Sequence, residues 1–152
     1  MAEGKMILIR CEEMDLQIRA KALDHNKIVF DWFCANFPTR CVLSATVVAG
    51  LQVYFQKVPM LNVECNWIQE DCLLEYTHEY PVGTFMAFMC AGNVANMTIK
   101  AGEQTEPMCY PTFARVIDED IPVLLEMGRR IWEDQLMNKK VFHADLTVIE
   151  EN

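Results

Sequence analysis

The chain has 152 residues, of which 52% are hydrophobic, and its net charge is −9. A chain of this size and composition can bury a core, which excludes a disordered tail. The negative charge disfavours nucleic acids and anionic membranes as partners, although a small anion can still bind a locally positive pocket. No apolar stretch reaches the ~20 residues of a membrane helix, and the N-terminus lacks the apolar core of a signal peptide. We therefore predict one domain over residues 1–152, located in the cytoplasm.

The first elements are predicted in chain order from hydrophobic periodicity. A short apolar run and an alternating stretch predict a hairpin with one solvated face. A helix follows, which Asp24 can cap; it begins near His25 or Asn26 and ends before Pro38. A series of strands separated by turns comes next. The predicted strands up to this point in the chain are residues 5–10, 15–23, 41–48, 51–55, 72–76, 85–90, 96–100 and 112–116.

A second helix is predicted after the last of these strands. It starts at Asp118 or Asp120, with Pro122 in its first turn, and Arg129 near its C-terminal half suits the helix dipole. Residues 142–149 alternate and predict a final strand. Consecutive strands with only two helices do not follow the rhythm of a parallel α/β fold. The sequence therefore predicts a mainly β fold: a closed antiparallel β-barrel capped by two helices.

The cysteines are predicted to be reduced thiols. The chain has seven of them, an odd number, with no tight paired spacing and no secretion signal. A zinc site would need clustered ligands, such as two cysteines two to four residues apart, and the sequence has none. We predict that the cysteines pack as small hydrophobes; the alternative is a catalytic thiol.

Several short motifs follow one another in a characteristic order. They are Phe37-Pro38 at the end of a helix, Gly50-x-x-Val53-Tyr54-Phe55, a Pro81-x-Gly83 turn, Phe113-Ala114-Arg115-Val116, and Gly128-Arg129-Arg130-Ile131-Trp132 in a helix. In this order they resemble a small cyclophilin-like bacterial family of unknown function. The resemblance covers residues 6–133 and implies a cyclophilin-like barrel.

That family looks related to the opine synthases that make cucumopine and mikimopine. The relation implies a cofactor-independent Pictet–Spengler condensation of L-histidine with α-ketoglutarate. The amine would form an imine with the keto carbon, and the imidazole carbon would then attack the imine. The chain departs from the family at Val82-Gly83-Thr84, where members often have Pro-Gly-Asp. It also departs over residues 96–102, where members often carry an acidic residue and a tyrosine, so the resemblance implies a rebuilt pocket.

This condensation would bring three carboxylates to one site, and arginine is the natural clamp for a carboxylate. Arg115 lies in a strand whose neighbours look buried, and we expect it to face the barrel interior beside Tyr54. Arg40 stands at the start of a strand, near the barrel rim. The alternative for each arginine is a surface charge or a structural salt bridge. The predicted substrate-binding residues are Arg40, Glu64, Thr112 and Arg115.

Proton transfers would need a general acid or base, usually His, Glu, Lys or Tyr. The predicted catalytic residues are Tyr54, His78 and Lys100. Tyr54 lies in a strand that carries the resemblance; its alternative is a core aromatic. His78 lies in a segment dense in titratable groups; its alternative is a solvated turn. Lys100 would add a positive charge, and its alternative is again a salt bridge.

The sequence lacks a glycine-rich phosphate loop, an H-E-x-x-H motif and a nucleophile elbow. We therefore predict no cofactor and no metal, with a small-molecule carboxylate as substrate. A module that binds a small carboxylate or peptide without turnover is the main alternative, and a prolyl isomerase is suggested by fold analogy alone.

Large apolar side chains further predict a homo-oligomer. They are Trp67, Ile68, Met86, Met89 and Met108.

Overall fold

The computed structural model describes residues 3–46, 49–56, 72–91 and 94–152, and of residues 88–91 and 94–95 it describes the backbone. The strands are β1 Lys5–Cys11, β2 Leu16–Ala22, β3 Thr39–Ala45, β4 Gly50–Gln56, β5 Leu74–Tyr76, β6 Thr84–Ala91, β7 Val94–Gln104, β8 Cys109–Val116 and β9 Phe142–Glu150. The helices are α1 Lys27–Ala35 and α2 Ile121–Arg130. A 3₁₀ turn, Asp118–Asp120, precedes α2, and a π-helical turn, Ile131–Gln135, follows it.

The strands form a closed antiparallel barrel. Their order is β2-β1-β9-β3-β4-β7-β6-β8, and pairing of β8 with β2 closes the ring. Strand β5 pairs with β8 outside the barrel. The predicted fold class, a mainly β closed antiparallel barrel with two helices, is confirmed.

The barrel interior is filled by the apolar side chains that alternate along each strand. Ile9 lies opposite Ile18 across the predicted hairpin, and both are fully buried. Phe113 of β8 is also fully buried, as expected; its ring stacks on Phe33 of α1 at 5.0 Å and meets the edge of Phe85 at 5.8 Å. These contacts bury α1 against the same core that holds the strands together.

Helix α2 packs closely against β4 and β7. A Cβ built on Gly128 would lie 3.1 Å from the Cβ of Ala101 and 3.8 Å from Val53, so the helix backbone comes near the sheet. Beyond the helix, the Gln135 side-chain carbonyl accepts a hydrogen bond from the backbone N–H of Ala45 at 2.9 Å. This bond ties the π-helical turn to the end of β3.

Three boundaries differ from the sequence prediction. Asn26, not Asp24, is the residue before α1, and it adopts a left-handed conformation with φ of 53°. Asp120 precedes α2 without capping it, because its carboxylate binds Arg19 instead. Strand β7 continues to Gln104, beyond the predicted strand end at Lys100, because Ala101 is buried against Gly128.

The described cysteines are free thiols, as predicted. Burial raises the pKa of Cys11 to about 11 and those of Cys34 and Cys41 to about 12. A thiol that stays protonated at neutral pH is a poor nucleophile. Cys65 and the side chain of Cys90 lie outside the described residues. Within the described ranges, no helix has the length and apolar character needed to span a membrane.

Candidate functional site

A row of five side chains crosses the outer surface of the barrel. Strand register places Ser44 beside Tyr54, Tyr54 beside Thr98, Thr98 beside Met86, and Met86 beside Thr112. Their chain neighbours, such as Val53 and Phe55, point into the core, so these five point outward. We call them the outer row. At ~4.8 Å per strand, the row spans ~14 Å from Tyr54 to Thr112, enough for an amino-acid-sized molecule.

The outer row is covered although it lies outside the barrel. Ser44, Thr98, Met86 and Thr112 have exposures of 6%, 2%, 1% and 0%. The Tyr80 hydroxyl contributes to the cover by donating to the sulfur of Met86 at 3.1 Å. Small-molecule sites combine apolar side chains with a few placed polar groups, and the outer row combines Met86 with the buried hydroxyls of Ser44, Thr98 and Thr112.

Two oxygens of this surface lack a partner among the described residues. They are the hydroxyl of Thr98 and the side-chain carbonyl of Gln52, both buried. Gln52 lies opposite Lys100 and Thr98 lies opposite Tyr54, so Gln52 and Thr98 are diagonal neighbours across β4 and β7. A buried polar group left unpaired costs about 1–3 kcal/mol, so both oxygens could hydrogen-bond a ligand.

A three-residue cluster stands at the β8 end of the outer row. The Thr112 hydroxyl donates to Glu75 Oε1 at 2.7 Å and lies 2.8 Å from His25 Nε2. His25 Nε2 also lies 2.9 Å from Glu75 Oε1. Because the only hydroxyl proton of Thr112 goes to the carboxylate, Nε2 must be the donor toward Thr112. The neutral imidazole then has its lone pair on Nδ1, where it can act as a base. We call this group the Thr112 cluster.

Asn26 holds the Thr112 cluster together. Its side-chain NH₂ donates to the backbone carbonyls of Leu73 at 2.7 Å and Thr112 at 2.8 Å, and its carbonyl accepts from the Leu73 N–H at 2.8 Å. The start of α1, the chain before β5, and β8 are thereby joined. The residue before Asn26 is His25, which is how a helix-start histidine reaches Thr112.

Of the predicted site residues, Thr112 and Tyr54 lie in the outer row. Tyr54 is partly exposed and points away from the core, so it is not the core aromatic of the alternative interpretation. His25 and Glu75 were not predicted as site residues. His25 was predicted only as a residue at a helix start, and in the segment that contains Glu75 the predicted site residue was His78. Glu75 and His25 stand 37 and 87 positions before Thr112 in the chain, so no local sequence pattern indicates these contacts.

Lys100 also lies on the outer surface, two residues from Thr98. Its ammonium donates to the backbone carbonyls of Thr77 at 2.8 Å and Tyr80 at 2.7 Å. Burial lowers the pKa of Lys100 from its usual value. These bonds hold the turn that covers Met86, so the described contacts of Lys100 serve to position that turn.

The other predicted residues lie elsewhere. His78 is exposed in a turn, 3.7 Å from Glu79. Arg40 is exposed beside Asp145 at 3.6 Å, which is the surface salt bridge of the alternative interpretation. Glu64 lies outside the described residues.

The expectation that Arg115 faces the barrel interior beside Tyr54 is wrong. Its neighbours Ala114 and Val116 are in the core, and Arg115 points outward opposite Lys21 and Thr84. The reason is a register shift between β6 and β8, which turns the consecutive residues Phe113 and Ala114 both inward and reverses the alternation. No group of three or more His, Cys, Asp or Glu residues in the described part of the chain could hold a metal ion.

Comparisons with known proteins identify the fold. No protein-family model matches the chain, and neither does any curated protein. Among solved structures, that of McbB in complex with tryptophan is similar, with a TM-score of 0.74 and 18% identity over 93% of this chain. The chain spans 44% of the length of McbB. At this identity the similarity shows a shared barrel fold.

Proposed function

We propose that the protein is a cofactor-independent enzyme that condenses an aromatic amino acid with a carbonyl compound on the outer row. The observation that carries this proposal is the Thr112 cluster, a histidine–carboxylate pair beside a buried polar floor. Two further points support it: the motif resemblance to a cyclophilin-like family that looks related to the opine synthases, and the complex of McbB, a protein of the same fold, with tryptophan.

The chemistry assigns a role to each part of the site. The substrate amine attacks the carbonyl carbon, and loss of water gives an imine. A carbon of the substrate's aromatic ring then bonds to the carbon of the protonated imine, whose C=N electron pair moves onto the nitrogen, and the ring loses the proton it carried at that position. His25 Nδ1 takes this proton, while Glu75 and Thr112 hold the imidazole in the required tautomer. The Gln52 carbonyl accepts from the substrate amine, and the Thr98 hydroxyl donates to its carboxylate.

For the substrates, we propose L-histidine and α-ketoglutarate, the pair implied by the resemblance. The carboxylates of α-ketoglutarate need cationic partners, and Arg40, Lys100 and Arg115 remain the proposed ones. In the described structure these cations contact Asp145, backbone carbonyls and Asp118 respectively. They would have to exchange these contacts for the substrate.

The test is a condensation assay with a matched pair of histidine variants. Purified protein is incubated with L-histidine and α-ketoglutarate, and mass spectrometry detects the cyclised product. His25→Gln should lower the rate by about 10²–10⁴-fold, the usual contribution of a general base. His143→Gln is the control, because His143 also contacts a glutamate, Glu13, at 2.7 Å, but lies on β9, a strand that does not pair with the β8 strand of Thr112. Absence of product with folded protein, or equal losses in both variants, would contradict the proposal.

A binding module is the second candidate, since the unpaired oxygens of Gln52 and Thr98 require only a ligand and no reaction. Thermal-shift measurements with histidine, α-ketoglutarate and short peptides distinguish the two. Stabilisation by a ligand without a new compound in the mass spectrum would favour the module. The cytoplasmic location and the homo-oligomer stay predictions.

A further inference from the structure

A second site lies around Arg115, at some distance from the Thr112 cluster. A cleft of about 470 Å³ opens between β2, β8 and the turn before α2. Cationic side chains of neighbouring strands line it together with apolar and acidic groups; those used below are Met6, Lys21, Arg115, Val116, Ile117, Asp118 and Glu151. The volume is in the range of small-molecule pockets. We call it the Arg115 cleft.

The pairing of two cations across this cleft is unusual. Lys21 and Arg115 are directly opposite in the antiparallel pair that closes the barrel, and both point outward. Like charges in this position repel each other and destabilise a sheet. Glu151 already offsets the charge of Lys21, so an anion bound beside Arg115 would offset the remaining positive charge.

The two cations differ in their protein partners. Lys21 forms an ion pair with Glu151. The Nε of Arg115 is buried with no hydrogen-bond partner in the described structure, and its Nη2 lies 3.8 Å from the exposed carboxylate of Asp118. A guanidinium group usually binds a carboxylate through two parallel hydrogen bonds, and Arg115 makes none here.

The remaining lining restricts the ligand. Asp118 and Glu151 would repel a ligand of purely negative charge but would attract an ammonium group. Of the apolar lining, Met6 and Val116 are almost fully buried, and the partly exposed Ile117 offers apolar surface beside the charges. We propose that the Arg115 cleft binds an α-amino acid with an apolar side chain, its carboxylate on Arg115 and its ammonium near the acidic side chains. This binding requires no condensation, although Arg115 is also one of the three cations proposed above for α-ketoglutarate.

An NMR titration of ¹⁵N-labelled protein tests the proposal, with L-leucine as the probe. Saturable shifts should appear at residues 19–21 and 115–119, and Arg115→Gln should weaken the binding at least tenfold. Arg40→Gln is the control, because Arg40 also pairs loosely with an aspartate but lies on another strand. The assay contains no carbonyl compound and measures no product, so its outcome does not depend on the condensation.

Two other ligands test which chemical groups of leucine the Arg115 cleft recognises. 4-Methylpentanoate keeps the shape and carboxylate of leucine without the ammonium group, and should bind at least threefold more weakly. Inorganic phosphate should not bind more tightly than leucine. The proposal is overturned if leucine gives no saturable shifts in the cleft, if Arg115→Gln binds as well as the wild type, or if phosphate binds best.

Discussion

Asp120 joins two distant parts of the chain through a single carboxylate. Arg19 of β2 donates to it from its backbone N–H at 2.8 Å and from its guanidinium Nε and Nη2, each at 2.9 Å. The side chain of Asp120 is 12% exposed. Hydrogen bonds from Arg19 hold the pKa of this carboxyl below its usual value, although burial acts in the opposite direction. The bonds fix the turn before α2 against the barrel.

This geometry predicts a pH-dependent loss of stability in Asp120→Asn. A carboxyl with a lowered pKa in the folded state contributes stability above its unfolded pKa of about 3.9 and loses it as pH falls through the lower folded value. At pH 7 the variant should melt roughly 2–4 °C below the wild type, and the gap should shrink towards pH 2. Thermal unfolding followed by circular dichroism measures both.

Glu126→Gln is the control for Asp120→Asn. Glu126 also binds an arginine, Arg129, at 2.7 Å, but both side chains are on the surface of α2. Exposed pairs contribute little to stability. Equal effects of the two variants, or a gap that stays constant with pH, would disprove the role given to Asp120.

The sequence predicts the direction of side chains correctly where apolar and polar residues simply alternate, and wrongly where a register shift between strands breaks that alternation. The alternation of β2 correctly predicted Ile18 inward and Arg19 outward. The shift beside Phe113 reversed the direction of Arg115, and a bulge has no reliable sequence signal. The Thr112 cluster could not be predicted, because His25 and Glu75 reach Thr112 only when α1, β5 and β8 come together.

At the scale of elements, the pairing of β4 with β7 depends on a glycine. Gly50 has φ of +113°, and a Cβ there would lie 2.4 Å from the carbonyl oxygen of Glu103 and 2.6 Å from the Cα of Gln104. Both are backbone atoms, which cannot move without disturbing the strand pair. The same pair carries Gln52, Tyr54 and Thr98, so Gly50 also supports the outer row.

Gly50→Ala should therefore lower the free energy of unfolding by about 3 kcal/mol or more, as strain and a backbone clash add together. Gly4→Ala is the matched control: Gly4 also has a positive φ, +74°, but, its chain neighbours apart, no atom of the described residues lies within 4 Å of the position that a Cβ would take there. Gly4→Ala should lower the free energy of unfolding only by the strain of the left-handed conformation, about 1–2 kcal/mol. Urea denaturation measures both values, and equal losses would show that the contact with β7 is unimportant.

At the scale of the whole molecule, the homo-oligomer stays a prediction, because most of the apolar side chains that suggested it are buried or lie outside the described residues. Met86 is 1% exposed within one chain, so it is not available to a second copy. Trp67, Ile68 and the side chain of Met89 lie outside the described residues. Other large apolar groups are exposed around the start of α1 and β5. They are Ile28, Leu73, Leu74 and Tyr76.

If two copies associate, these four exposed side chains form the candidate contact surface. Asn26 binds the backbone of Leu73, so Leu73 lies beside the start of α1, the helix that carries Ile28. Light scattering coupled to size-exclusion chromatography should give a mass above that of one chain, 17.5 kDa, for the wild type. Leu73→Glu should reduce the mass to that of one chain, because a charge buried in the contact opposes association. Met137→Glu is the control, since Met137 is 79% exposed but lies beyond α2. A monomeric wild type would disprove the predicted oligomer, and an unchanged mass for Leu73→Glu would place the contact on another surface.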